Sequence, residues 1–272
     1  MSLLERTKLL LREHRIIPNK LLGQNFMIEQ SLFETLADHA SLNKNDTVLD
    51  AGAGFGFLTR FLASKCKKVV AVEADNRLAG ILQERLNDLT NVETIRGNVL
   101  KVQVPEFNKV VSIPPYQISS RLLPWLFSRS FECAVLIFQK EFADRLVAPV
   151  GSEDYGWLTV LTYYKTDCEL LDRVPKDLFF PQPEVDSIVI RLTRKEVSRF
   201  ALKDELLFKK LARSLFSQRN RKVRNAIKPF LTGVLARAEE DAAKTVETIP
   251  FRDKRVRELA PEDFGALANA LA

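Results

Sequence analysis

A chain of 272 residues exceeds the usual domain of roughly 100–200 residues, so one large and one small domain is the expected arrangement. Hydrophobic residues at 46% can build a core, and 28% charged residues with only 10 Gly and 12 Pro exclude a disordered or fibrous chain. The three scattered cysteines (Cys66, Cys133, Cys168) and two histidines without ligand spacing (His14, His39) argue against a disulfide framework or a metal, and the net charge of +6 is modest.

In chain order, the amino-terminal residues have charges interrupting every apolar stretch. They do not read as a signal peptide, and no run approaches the roughly 18 apolar residues that span a bilayer. The expectation is a reducing cytoplasm, without a membrane partner. From residue 47 to 139, short β-rich runs alternate with helix-spaced segments. Strands are predicted at 47–51, 68–73, 92–96, 109–112 and 133–139, with helices at 57–65 and 76–86. A helix near 157–164, a strand near 166–173, a proline-marked loop at 179–183 and a strand at 186–192 follow. This alternation predicts a doubly wound α/β domain with a mostly parallel seven-stranded sheet over residues 1–192. Beyond it, 206–216, 219–230 and 261–271 are helical in pattern with no strand between them, which predicts a small all-α domain over 193–272.

Charge is concentrated at that second boundary. Between Arg194 and Phe230 stand twelve Lys or Arg against three acids, a segment of +9 that leaves −3 elsewhere. A basic tail on a near-neutral body fits a nucleic-acid contact surface, because each neutralised phosphate releases counterions. Arg219, Arg221, Lys222 and Arg224 are its candidate RNA contacts.

After the first predicted strand of the sheet stands Asp50-Ala51-Gly52-Ala53-Gly54-Phe55-Gly56, followed by a helix. Glycines at Gly52 and Gly54 allow a tight turn and a close backbone approach to a ligand at a helix amino terminus. Glu73 ends the second strand, where a carboxylate accepts both hydroxyls of a ribose. The pair points to an adenosine-containing cofactor without naming it. The fourth strand leads into Ser112-Ile113-Pro114-Pro115-Tyr116-Gln117. Residues before proline are held extended, so this loop is a stiff ledge at the carboxyl end of the sheet, and Tyr116 on it can stack on a flat base.

With these motifs in place, the sequence resembles the KsgA-like ribosomal RNA adenine N6,N6-dimethyltransferases, relatives of the erythromycin-resistance rRNA methyltransferases. The resemblance runs through Leu22-Gly23-Gln24-Asn25-Phe26-Met27, the Gly52 loop, Glu73, Gly97-Asn98 and Pro115-Tyr116-Gln117-Ile118-Ser119-Ser120. It continues through Phe138-Gln139-Lys140-Glu141, the segment from Phe179-Phe180-Pro181 to Ser187, and the segment from Phe216 to Asn225. It implies a Rossmann-like class I methyltransferase domain, S-adenosylmethionine as cofactor, small-subunit rRNA or an immature small ribosomal subunit as substrate, no metal, and a monomer. By position, it implies that Asn25 and Met27 close over the cofactor, Gly52 contacts it, Glu73 takes its ribose and Asn98 its adenine. Asn98 stands where the family usually has Asp; its amide oxygen still accepts a hydrogen bond, without charge. Tyr116 stands where the family has the aromatic that stacks on the target adenine, and Phe179 where it has the opposing one.

The larger departure is at the catalytic loop. The family pattern Asn-Leu-Pro-Tyr is here Ile113-Pro114-Pro115-Tyr116, and the family's Asn accepts a hydrogen bond from the adenine amino group. Isoleucine cannot accept. The carbonyl of Pro114 can, whereas the Ser112 hydroxyl is one residue early and is expected on the other side of the strand. Two readings follow: an active dimethyltransferase that tolerates Ile113, or an assembly factor that keeps cofactor and RNA binding with weak or no methylation.

Overall fold

The computed structural model describes residues 1–19 and 22–272. In chain order its elements are α1 (Leu3–Glu13), β1 (Phe26–Met27), α2 (Ser31–His39), β2 (Thr47–Ala51), α3 (Phe57–Ala63), β3 (Lys68–Glu73), α4 (Asn76–Arg85), β4 (Val92–Arg96), β5 (Lys109–Ser112), α5 (Ser119–Phe127), β6 (Cys133–Gln139), α6 (Lys140–Leu146), α7 (Trp157–Lys165), β7 (Thr166–Val174), β8 (Phe179–Phe180), β9 (Ser187–Arg194), α8 (Glu205–Phe216), α9 (Val223–Ala226), α10 (Glu239–Thr248) and α11 (Pro261–Leu271).

Seven strands form one sheet in the order β4-β3-β2-β5-β6-β9-β7, with β4, β3, β2, β5 and β6 parallel and β9 antiparallel to β6. The central strands are near-continuous apolar runs (Val69 to Val72, Ala134 to Phe138) that lie fully buried, as parallel strands covered on both faces must be. From β2 the chain proceeds outward to β3 and β4 on one side and returns to β5 and β6 on the other. This reversal opens a crevice at the carboxyl ends of β2 and β5, where ligands bind in doubly wound sheets.

The sequence does not announce one small piece of structure. β1 and β8 pair antiparallel as a separate two-stranded ribbon, Phe26 opposite Phe180 and Met27 opposite Phe179. Two residues per strand leave no alternation to read, and the pairing joins segments far apart in the chain.

The chain divides into two compact units, Met1–Ala143 with Cys168–Arg194, and Asp144–Asp167 with Lys195–Ala272. The helical unit is therefore not one uninterrupted carboxyl-terminal stretch: it also takes 144–167, which the sequence reading places in the first domain. The reason is packing. Tyr164 of α7 meets the rings of Phe200 and Phe208 at 4.9 and 5.3 Å, and the buried Tyr155 donates its hydroxyl to the Leu259 carbonyl at 2.8 Å. In the same unit Phe216 stacks on Phe264 at 5.1 Å.

A second correction concerns 219–230, predicted as one helix. Residues 217–220 are a turn, Lys222 bridges to Arg255, and only Val223–Ala226 is α-helical, with a π-helical turn at Phe230–Val234. Here the Val223 and Arg224 N–H groups donate to the carbonyls of Lys254 and Arg252, so tertiary partners replace the helical ones.

Candidate active site

The turn after β2 is shaped by what it must avoid. Gly52 has φ +89°, a left-handed value, and a Cβ on it would lie 2.6 Å from the Pro115 ring. The glycine is needed twice: for its backbone angle, and to let the Pro114-Pro115 ledge close against the loop. Beneath the turn Asp50 is buried, accepting the Thr59 hydroxyl at 2.7 Å. Burial, with repulsion from Glu73 added, pushes its carboxyl up to about 7 against the pull of the Thr59 hydroxyl. Ser112, also fully buried, donates to the Ala51 carbonyl at 2.8 Å and accepts its N–H at 3.1 Å. Its hydroxyl thus ties β5 to β2, as the alternation of side chains along a strand requires, and is no candidate acceptor.

Glu73 ends β3 with its carboxylate held by two backbone donors: Gly54 N–H to Oε2 and Asp75 N–H to Oε1, both at 2.8 Å. Burial raises its pKa while those N–H groups lower it. Each oxygen retains a lone pair, so the group can still accept the two hydroxyls of a ribose. Next to it Asp75 caps α4 and pairs with Arg77 at 2.6 Å; that guanidinium, helped by the Gln24 amide, holds its carboxyl at about 2. Gln24 donates to Asp75 at 2.9 Å and accepts the Asn19 N–H at 2.8 Å. The amino-terminal segment is therefore pinned to the cleft wall. It is pinned a second time where Gly23, at φ +65°, lies so close to the Gln117 carboxamide that no Cβ would fit.

These elements enclose a cavity of ≈210 Å³, lined by the predicted Asn25, Gly52, Gly54, Glu73, Asn98, Ile113, Pro114, Pro115, Tyr116 and Phe179. Met27 is the exception among the predicted residues: it is buried and lines a smaller adjoining chamber with Asp50 and Phe57. The β1–β8 pairing turns it toward the core opposite Phe179. Asn98 uses its side-chain oxygen to accept the Leu100 N–H at 3.0 Å, which leaves that oxygen one lone pair for a ligand. Asn25 donates to the Gly23 carbonyl at 3.3 Å.

On the other wall Tyr116 and Phe179 meet edge to face with centroids 6.3 Å apart. The Tyr116 hydroxyl shares a 2.7 Å hydrogen bond with Ser187, a fully buried residue of β9, and burial pushes its pKa up to about 12. The phenol stays neutral and fixed in plane. The role of Ser187, like those of Gln24 and Asp50, escapes a reading of motifs, because each acts on a neighbour distant in sequence. The only signal was their place inside the Leu22–Met27, Gly52-loop and Phe179–Ser187 matches.

The predicted RNA contacts are only partly free. Arg219 donates to the carbonyls of Glu153 and Ser152, the latter at 2.6 Å, and so serves to hold its own unit together. Lys222 and Arg224 share Asp253 at 3.7 and 2.7 Å. Arg221 is exposed and has no ion pair among the described residues. Among those residues there is no group of three His, Cys, Asp or Glu that could hold a metal, and no helix long and apolar enough to cross a membrane.

A family model described as ribosomal RNA adenine dimethylase matches residues 18–264. Among curated relatives, the probable ribosomal RNA small subunit methyltransferase A of Methanosarcina acetivorans is 42% identical over 250 residues, 91% of each chain. The protein of that name in Thermococcus kodakarensis is 40% identical, covering 92% of this chain and 89% of its own. Among solved structures, a dimethyladenosine transferase from Plasmodium falciparum superposes with a TM-score of 0.75 at 27% identity, covering 89% of this chain and 95% of its own. The 23S rRNA methyltransferase ErmE gives 0.64 at 26% identity, over 91% and 99%. These names give no support to a non-methylating assembly factor.

Proposed function

This chain belongs to the ribosomal RNA adenine dimethylase family, and from that premise we propose how its own residues carry out the reaction. It is an S-adenosylmethionine-dependent enzyme that dimethylates adenine in ribosomal RNA. The observation that carries the assignment of roles is the single cavity uniting the glycine loop, Glu73, the Pro114-Pro115 ledge, Tyr116 and Phe179. Glu73 takes the ribose hydroxyls, the Gly52 loop lets the backbone approach the cofactor, and Asn98 accepts from its adenine. When bound, S-adenosylmethionine supplies a methyl group on a sulfonium whose leaving group departs neutral, so the protein is asked for positioning more than for acid–base chemistry.

Tyr116 stacks on the target adenine and Phe179 borders it. Pro114 lines the cleft, and its carbonyl is an acceptor. It replaces the family's Asn amide as acceptor for the adenine amino group, drawing the nitrogen lone pair out of ring conjugation. The two prolines fix this carbonyl before substrate arrives, which is what a transition-state acceptor needs. The substrate is rRNA of the small subunit during assembly, in the cytoplasm, with the enzyme acting as a monomer. Arg221 is the foremost contact of the helical unit, joined by Lys222 and Arg224 when RNA competes for their shared acid; Arg219 contributes through the fold.

The test is single-turnover transfer of labelled methyl to small ribosomal subunits with unmethylated rRNA. Wild type should form dimethyladenosine, and Glu73→Ala should weaken cofactor binding. Ile113→Asn should not accelerate transfer if Pro114 already supplies the acceptor; a gain of tenfold or more would return that role to a side chain this protein lacks.

A further inference from the structure

Behind the glycine loop, two arginines meet on one phenylalanine, with a third beside them. The guanidinium of Arg6, from the first turns of α1, lies 5.1 Å from the centre of the Phe57 ring, and that of Arg85, at the end of α4, lies 4.9 Å from it. Arg60 of α3 pairs with Asp88 through both terminal nitrogens at 2.9 and 2.6 Å and also donates to the Arg85 carbonyl. Asp88 is thus spoken for. Arg85 uses its Nε–H on the Phe55 carbonyl at 2.9 Å. Among the described residues, neither Arg6 nor Arg85 has a carboxylate partner.

Packing alone does not call for this arrangement. Both side chains are half-buried, so their charges are less screened than on an open surface. Burial, and then repulsion from Arg6 and Arg60, lower the pKa of Arg85. Arg85 sits at a helix carboxyl end, which favours a cation, but Arg6 lies near the amino end of α1, where the helix dipole disfavours one. An aromatic face attracts each cation without neutralising either. Two guanidiniums on one ring without a carboxylate partner keep N–H donors free, and such donors suit phosphate oxygens.

The position fits the substrate. Two residues along α1, Lys8 is exposed and lies 5.2 Å from the Phe180 ring, and Phe180 adjoins the cleft-lining Phe179. Phe180 and Phe57 pack in one cluster with Phe26, a cleft-lining residue, so Lys8 and Arg6 of α1 both lie over an apolar cluster that borders the cleft.

We infer that Arg6 and Arg85, laid on the Phe57 ring, form a phosphate site on the catalytic unit that grips a backbone phosphodiester of the substrate RNA next to the methylated base. The inference rests on the reading that the substrate is rRNA. A strand whose base is turned into the cleft and whose backbone crosses this cluster would be gripped here, and that grip would set where along the strand the base enters.

The experiment is a KCl titration of binding to small ribosomal subunits with unmethylated rRNA, comparing wild type with Arg6→Gln and with the charge-preserving Arg6→Lys. Each phosphate contact contributes about 0.7–0.9 to the slope of log affinity against log salt. Arg6→Gln should lose about that much slope and bind more weakly at low salt. Arg6→Lys should keep most of the slope, and affinity for S-adenosylhomocysteine should be unchanged in both. The melting temperature of Arg6→Gln should hold or rise, because repulsion with Arg85 is relieved. An unchanged slope overturns the site, whether the protein melts lower, which would make the pair a packing contact, or binds cofactor more weakly, which would assign it to the cofactor. If wild type itself shows no salt-dependent binding, the rRNA reading fails instead.

Discussion

Replacing Asp50 by asparagine removes a charge that the fold holds out of water beneath the glycine loop. Asp50 is 1% exposed, and burial shifts its carboxyl from the ordinary 3.8 to about 7. At 1.36 kcal/mol for each pH unit between these values, keeping it ionised costs the folded protein about 4 kcal/mol. The sign follows from proton counting. Between about pH 4 and pH 7 the folded state keeps the proton and the unfolded state has lost it, so stability falls as pH rises. Below that window both states are protonated and the cost vanishes; above it the cost is constant. Asparagine keeps an oxygen to accept the Thr59 hydroxyl and cannot ionise. Urea unfolding of the cofactor-free protein at a series of pH values should therefore show wild type losing about 1.4 kcal/mol per pH unit relative to Asp50→Asn across the window, then levelling. Extra cost from the new NH₂ group offsets all points equally and leaves the slope alone. A difference that stays flat across the window would refute the reasoning, because it would mean Asp50 ionises in the folded protein as it does in water.

The Tyr116–Ser187 hydrogen bond should act on turnover through the phenol. Ser187→Ala should lower the single-turnover rate about two- to tenfold, the worth of a neutral buried hydrogen bond, leave cofactor affinity alone, and cost nothing further in a Tyr116→Phe background; an equal loss in both backgrounds would show that Ser187 acts elsewhere. Gln24→Ala should weaken S-adenosylhomocysteine roughly tenfold by releasing the amino-terminal segment from a charged acceptor, and Gln24→Glu should weaken it more, because Asp75 is ionised throughout the usable pH range. Calorimetric titration giving wild-type affinity for both variants would remove Gln24 from cofactor closure.

The strands of the sheet were legible in sequence because short β-rich runs stand between helix-spaced segments, most sharply in the buried parallel strands β2, β3, β5 and β6, and that contrast is local. Gly52, Glu73 and the Pro114-Pro115-Tyr116 ledge were legible for a related reason: each sits at the carboxyl end of a predicted strand, so finding the strand also places the residue. What sequence could not supply were relations between distant segments. The β1–β8 ribbon, the Ser187 bond to Tyr116, the Gln24 anchor on Asp75 and the arginine pair on Phe57 join partners from separate elements, and no periodicity encodes them. The basic tail shows the same limit from the other side. Counting charges located it, but only the fold reveals that Arg219 is spent on backbone carbonyls and that Lys222 and Arg224 share Asp253, because a side chain's charge is local while its partner is chosen by tertiary packing.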